Sequence, residues 1–331
     1  MNIVVQSSIL LKRQNYELNM SAIGILGSGF GLYGYLPALV EIGKRDIVLP
    51  VRYKEKFSSR AELQVYANYI FWAPDDKDVI NAVDSIILAV TPEHQFDLAR
   101  KLMRANNIKN LLLEKPLAVS PEKSSQLIDE LVISRKRFRI GYNFRFTSWG
   151  ANIAELVKVS STDDSLSVSW KFLASHYRDD LLTWKRFSSS GGGALRFYGI
   201  HLIALLSEIG YSQVLFSKKI GKNSNEIVKW MAIFSGKKLP NFDVFVDSES
   251  AISQFTVSSI IDGKKDFLLD ELGPFDCSEH TQMPKDQDKR LPYLQNLCAT
   301  LFDETDKSYY WYESTVELWR LTEEASSFEV G

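Results

Sequence analysis

One short segment constrains this 331-residue chain more than any other. An apolar run at 22–26 leads into Gly27-Ser28-Gly29-Phe30-Gly31, and the residues that follow, 31–42, read as a helix. A strand that enters a helix through glycines makes an anion cradle. The first helical N–H groups have no partners inside the helix, the positive end of the helix dipole points the same way, and the missing side chains let a pyrophosphate reach the backbone. Gly27, Ser28, Gly29, Phe30 and Gly31 are therefore the expected contacts of a dinucleotide. The match to G-x-G-x-x-G is incomplete, because the third glycine would fall on Leu32, with Gly31 and Gly34 on either side.

The first half of the chain repeats this grammar. Further short apolar runs at 47–51, 85–90 and 111–113 read as strands, and 93–105 as an amphipathic helix. Strands that are apolar on both faces and alternate with helices predict a parallel, doubly wound sheet. Pro50 lies inside the second run, where a missing N–H would cost a ladder bond, so that strand either ends early or bulges. After Phe146 the texture changes. A helix at 151–159 precedes runs at 166–172, 226–234, 242–246, 251–261 and 265–269 that alternate polar and apolar residues. This predicts a largely antiparallel sheet with one face more exposed, closed by helices at 291–304 and 312–326. The expected fold class is α/β: an N-terminal Rossmann sheet, residues 20–145, and a C-terminal α+β domain, residues 146–331. Residues 1–19 read as an extension or an alternative start.

Composition excludes several classes of function. A net charge of −2 gives no basic excess for nucleic acid. Two cysteines, Cys277 and Cys298, make neither a disulfide framework nor a metal cluster, and His94, His176, His201 and His280 show no H-x-x-x-H spacing, so no metal is expected. No apolar run approaches the roughly 18–20 residues that span a bilayer. The N-terminal charges, Lys12 and Arg13, follow the apolar runs instead of preceding them, which predicts a cytoplasmic protein without a membrane partner.

The carboxylate that usually holds an adenosine ribose lies at the end of the second strand. Here that stretch reads Val51-Arg52-Tyr53-Lys54. Arg52 suits a 2′-phosphate, so NADP is favoured over NAD; the plainer alternative is a solvated loop.

Three further segments carry a resemblance. These are Thr91-Pro92-Glu93-His94, Glu114-Lys115-Pro116-Leu117-Ala118, and Gly191-Gly192-Gly193-Ala194-Leu195-Arg196-Phe197-Tyr198-Gly199-Ile200-His201. In type, order and spacing they resemble the T-P-x-H, E-K-P-L-A and G-G-G-x-L-x-D-x-G-x-H segments of the Gfo/Idh/MocA family, the glucose-fructose oxidoreductase and inositol dehydrogenase-like proteins. That resemblance implies an NAD(P)-dependent oxidoreductase acting on a hydroxyl or keto group of a sugar, nucleotide sugar or cyclitol, and assembled as a homodimer or homotetramer. It implies that Thr91, Pro92, His94 and Glu114 border the cofactor, that Lys115 meets both the substrate hydroxyl and the nicotinamide ribose, and that His201 is the acid/base. Tyr142, Arg145, Trp184 and Tyr198 are the further candidates for substrate contact. Two positions depart from the pattern. Phe96 replaces a second histidine, and Phe197 replaces a carboxylate four residues before His201, on the same face of an ideal helix. A phenyl ring cannot orient an imidazole or take a proton. A second reading therefore stands beside the enzyme: a catalytically degenerate NAD(P)-binding sensor or regulator. Reduction of a non-sugar ligand is a third.

Overall fold

The computed structural model describes residues 22–276, 288–303, 305 and 311–331; the expected extension 1–19, Cys277 and His280 lie outside the described residues. The glycine segment sits where its sequence places it. β1 (Ile23–Leu26) is buried along its whole length and pairs in parallel with β2 (Ile47–Pro50) on one side and β4 (Ser85–Leu88) on the other. With β3 (Ile70–Ala73), β5 (Asn110–Leu113) and β6 (Arg137–Ile140) they form a six-stranded parallel sheet in the order β3-β2-β1-β4-β5-β6. The strand order reverses between β1 and β4, which opens a crevice beyond the carboxyl ends of the strands, at the glycine loop. Pro50 is the last residue of β2, and the β1 ladder stops at Val48, so the strand ends early and needs no bulge.

The crossovers are α1 (Leu36–Glu41), α2 (Lys54–Ser58), α3 (Asp76–Ala82), α4 (Pro92–Met103) and α5 (Pro121–Ser134). Their starts follow the sequence: Asp75 and Ser120 accept from Asp78 N–H and Lys123 N–H, which satisfies orphan donors of α3 and α5. Proline opens α4 and α5, where its absent N–H is harmless.

The second half contains α6 (Ser148–Val159), β7 (Ser165–Leu173), α7 (Ser175–Arg178), α8 (Ile200–Ile209) and β8 to β12 (Gln213–Asn223, Glu226–Ser235, Asn241–Asp247, Glu249–Ile261 and Lys264–Glu271). It ends with α9 (Leu291–Phe302), α10 (Trp311–Glu324) and β13 (Ser326–Val330). The seven-stranded sheet has the order β12-β11-β7-β10-β9-β8-β13; the β7–β10 and β8–β13 pairs are parallel and the others antiparallel. The sheet is thus mixed, with antiparallel pairing predominant. The turn Ala194–Gly199 that leads into α8 packs on β9 and β10, and Trp230 sits so tightly on Gly199 that a Cβ there would stand 2.5 Å from the indole.

Two helices are among the contacts that tie the halves together. α9 returns to the first sheet and packs Leu291, Leu294, Leu297 and Leu301 into the core that contains Ile23, Ile25 and Leu36. α10 lies against α5, α8 and β8, and Ile140 N–H donates to the Tyr312 hydroxyl at 3.3 Å. Cys298 is buried in α9, and burial pushes its thiol pKa up.

Candidate active site

The glycines divide the work of the loop among them. Gly27 has φ +135°, and a Cβ there would stand 2.1 Å from the Ala89 carbonyl oxygen, so only glycine fits. At Gly29 an added Cβ meets nothing within 4 Å, which is the open space a phosphate requires. At Gly31 a Cβ would come within 2.8 Å of Ile25, so this glycine gives the close helix–strand packing usually assigned to the third glycine of the motif. Leu32, at the nominal third position, is buried in the core. The turn Gly31–Tyr35 is wound as a π-helix, closed by Leu36 N–H donating to the Gly31 carbonyl, and this wider turn accommodates the one-residue offset. These residues fit a dinucleotide pyrophosphate.

Beyond β2 the chain presents Arg52 and Tyr53. The Tyr53 hydroxyl accepts from Gly27 N–H at 2.9 Å and from Arg52 at 3.1 Å. Arg52 also pairs with Asp76 at 2.5 Å, at the start of α3. The β2 segment itself lacks a carboxylate, yet the fold brings one in from the next crossover.

The other end of the cleft is built on β5. Gln95 donates to the carbonyls of Glu114 (2.5 Å) and Leu117 (3.0 Å), and its own oxygen accepts Glu114 N–H at 2.7 Å, which fixes the E-K-P-L turn; the Lys115–Pro116 peptide is cis. The Tyr35 hydroxyl donates to the Glu114 carboxylate. Burial raises the Glu114 pKa against the pull of Lys115. Lys115 Nζ donates to the Phe197 carbonyl at 2.8 Å and lies 3.6 Å from the centroid of the Phe197 ring. Burial lowers the Lys115 pKa to about 7; Lys185 and Arg290 push the same way, and Glu114 opposes them. His201, the second residue of α8, stacks on Phe144 with ring centroids 4.7 Å apart. Burial, then the charges of Lys115 and Arg290, hold it well below the ordinary histidine range, so its imidazole is neutral. Its Nδ1 has no hydrogen-bond partner among the described residues.

The structure revises the place of Phe197. Residues Ala194–Gly199 are wound as a π-helix, so the four-residue spacing to His201 does not behave as it would in an α-helix. The phenyl ring serves Lys115 and packs edge-on against Trp184 and Tyr198.

A cleft of about 880 Å³ joins both ends. It is lined by Gly27, Ser28, Gly29, Phe30, Arg52, Thr91, His94, Glu114, Lys115, Trp184, Tyr198 and His201. Gly31 and Pro92 lie behind this lining, in the helix starts. Tyr142 and Arg145 do not reach the cleft, which corrects their expected role in substrate contact. Tyr142 is buried against Trp311 and Tyr312, and Arg145 pairs with Glu208 at 2.6 Å over the Trp311 ring. The 3₁₀ turn Phe144–Phe146 after β6 turns Asn143, their neighbour, into the cleft instead. Sequence reasoning also misses Tyr53, Asp76, Lys185 and Arg290. Arg290, held by Asp288 at 2.6 Å, lies 4.4 Å from the Phe30 ring centroid. Nothing local in the sequence marks Asp76 or Arg290, since each reaches the cleft from a distant segment. Among the described residues no cluster of three or more His, Cys, Asp or Glu could hold a metal, and no helix is long and apolar enough to cross a membrane.

Residues 22–142 match the Gfo/Idh/MocA oxidoreductase family, whose NAD-binding domain has a Rossmann fold. The similarity to this family covers 121 of the chain's 331 residues, the span of the first sheet. Over 190 residues the chain is 26% identical to the glucose-6-phosphate 3-dehydrogenase of Bacillus subtilis (strain 168), a match covering 56% of the chain and about half, 53%, of that enzyme. Its fold is similar to that of GenD2 from gentamicin A biosynthesis, solved in complex with NAD (TM-score 0.69, 13% identity, 95% of this chain and 97% of that one). It is also similar to that of KijD10, a 3-ketoreductase from Actinomadura kijaniata solved with NADP and TDP-benzene (TM-score 0.65, 11% identity, 95% and 100%).

Proposed function

We propose that this protein is an NAD(P)-dependent oxidoreductase acting on a hydroxyl or keto group of a sugar or nucleotide sugar. The observation that carries the reading is that Lys115 and His201 line one continuous cleft with the glycine loop. Gly27, Ser28, Gly29 and Phe30 would hold the pyrophosphate, Arg52 and Tyr53 the adenosine ribose, and Thr91, His94, Glu114 and Lys115 the far end. A bound nicotinamide would supply the hydride acceptor for an alcohol, or the donor for a ketone. His201, neutral and recessed, takes the hydroxyl proton in oxidation and returns it in reduction. Protonated Lys115, fixed by the Phe197 carbonyl and ring, supports negative charge on the reacting oxygen. Arg52 favours a 2′-phosphate and hence NADP, although it must share its charge with Asp76. The test is turnover: purified protein with NADP or NAD and a panel of sugars and 3-keto sugars, followed by nicotinamide absorbance. Loss of turnover in both Lys115→Ala and His201→Ala, with cofactor affinity kept in His201→Ala, supports the reading; unchanged rates refute it.

The unpartnered Nδ1 of His201 and the phenyl ring at the carboxylate position favour a second reading, a cofactor-binding sensor without turnover. Binding of both cofactor and a sugar without hydride transfer would select it.

A further inference from the structure

Two ammonium groups converge on the Phe197 ring at the reaction end of the cleft. Lys115 Nζ lies 3.6 Å and Lys185 Nζ 5.3 Å from its centroid. They arrive from opposite halves of the molecule, Lys115 from the end of β5 and Lys185 from the turn Trp184–Arg186. Lys115 has a hydrogen-bond acceptor in the Phe197 carbonyl. Lys185 has neither a hydrogen bond nor an ion pair among the described residues, although it is half-buried and lines the cleft.

The fold fixes the position of Lys185. Arg186, next to it, is buried in an ion pair with Glu226 at 2.7 Å at the start of β9. Trp184, before it, packs edge-on against Phe197 with ring centroids 5.2 Å apart. Gly192, the middle glycine of the G-G-G segment, is pressed against the same turn. A Cβ there would stand 2.3 Å from the Trp184 carbonyl oxygen and 2.6 Å from the Lys185 carbonyl carbon. One function of that glycine is therefore to seat the backbone of Lys185 beside the helix that carries Phe197 and His201.

The lining carboxylates do not neutralise this lysine. Asp76 is at the ribose end, engaged by Arg52. Burial and then Arg290 lower the Lys185 pKa; Glu114 opposes them through space, but it accepts the Tyr35 hydroxyl and its own pKa is raised by burial. At the position where the family pattern has a carboxylate this chain has a phenyl ring, so Phe197 offers Lys115 and Lys185 no counter-charge, whereas Arg290 has its own in Asp288. A recessed ammonium with three donors and no acceptor is a site for an oxyanion.

We propose that Lys185 binds a phosphate group of the substrate, so that the sugar is a phosphate ester or a nucleotide diphosphate ester and not a neutral polyol. This rests on the sugar-oxidoreductase reading above. The test measures, by calorimetry at fixed ionic strength, the binding of glucose, glucose 6-phosphate and UDP-glucose to the full chain loaded with NADP, in wild type, Lys185→Gln and Lys185→Arg. One phosphorylated sugar is expected to bind about tenfold or more tighter than glucose, as one charge-assisted hydrogen bond implies. The identity of that sugar distinguishes a monoester from a nucleotide. Lys185→Gln should lose the preference and Lys185→Arg should keep most of it, with equal melting temperatures. Equal binding of charged and neutral sugars by wild type, no binding of any of them, or an undiminished preference in Lys185→Gln overturns the proposal. So does a Lys185→Gln variant that weakens NADP binding alone. If wild type binds no NADP or NAD at all, the oxidoreductase reading has failed instead.

Discussion

The contact between Lys115 and Phe197 allows a quantitative prediction. An ammonium 3.6 Å from a ring centroid, out of bulk water, gains about 2 kcal/mol from the negative face of the ring. The gain belongs to the charged form alone, so it holds the lysine pKa up against burial. Phe197→Leu keeps the backbone carbonyl that accepts from Lys115 and removes only the ring. At about 1.4 kcal/mol per pH unit, the pKa should fall by about 1 to 1.5 units from its value near 7. Phe197→Asp should move it the opposite way, because an adjacent carboxylate favours the ammonium. Competitive acetylation of the native protein across a pH series, read by mass spectrometry at the peptide containing Lys115, reports the neutral fraction directly and does not depend on turnover. If the Lys115 midpoint stays within about 0.3 unit in Phe197→Leu, the ring is packing only and the argument falls.

Four further outcomes follow from the same geometry. Gly29→Leu should melt like wild type, because its Cβ enters open space, yet lose at least about tenfold in NADP affinity by calorimetry because the side chain fills the cradle. Gly27→Ala should instead destabilise the fold by about 2–4 kcal/mol in denaturant titration, since its Cβ would collide with the Ala89 carbonyl at a positive φ. Arg52→Ala should abolish any preference for NADP over NAD in fluorescence titration, and Asp76→Asn should strengthen it by releasing Arg52. Light scattering should give a dimer or tetramer, and charged substitutions at Leu215 and Phe216, exposed on β8, should shift it toward monomer.

What the sequence reveals depends on how local each signal is. The β1–glycine–helix unit, the E-K-P turn and the G-G-G…H segment are contiguous, and their geometry is set within a few residues, so the Rossmann half and the two side chains proposed to react, Lys115 and His201, are legible in the residue order alone. β3 and β6 are not legible as strands. β3 has half-buried Phe71 and Trp72 at its centre, and β6 alternates Arg137 and Arg139 with Phe138 and Ile140, a polar pattern unlike that of the other parallel strands. β8 is interrupted by register shifts that break its alternation. Helical spacing misplaces Phe197 because it assumes 3.6 residues per turn where the backbone makes a π-turn. Tyr142 and Arg145 are misplaced by a similarly small margin, since one 3₁₀ turn decides which residue after β6 faces the cleft. Asp76, Lys185 and Arg290 lie beyond local reasoning: three separate segments deliver them, and only the assembled fold brings them to one cleft.

The return of α9 to the first sheet has a consequence for how the chain matures during synthesis. Leu291, Leu294, Leu297 and Leu301 wall one side of the core beneath the glycine loop, yet they are made more than two hundred residues after Ile25. A nascent chain that has emerged only as far as β6 has all six strands of the first sheet but leaves the apolar faces of Ile23, Ile25 and Leu36 without this cover. The cradle for the dinucleotide thus stands complete in sequence long before it is complete in packing. The nucleotide-binding half reaches its final stability only after α9 has been made and has docked.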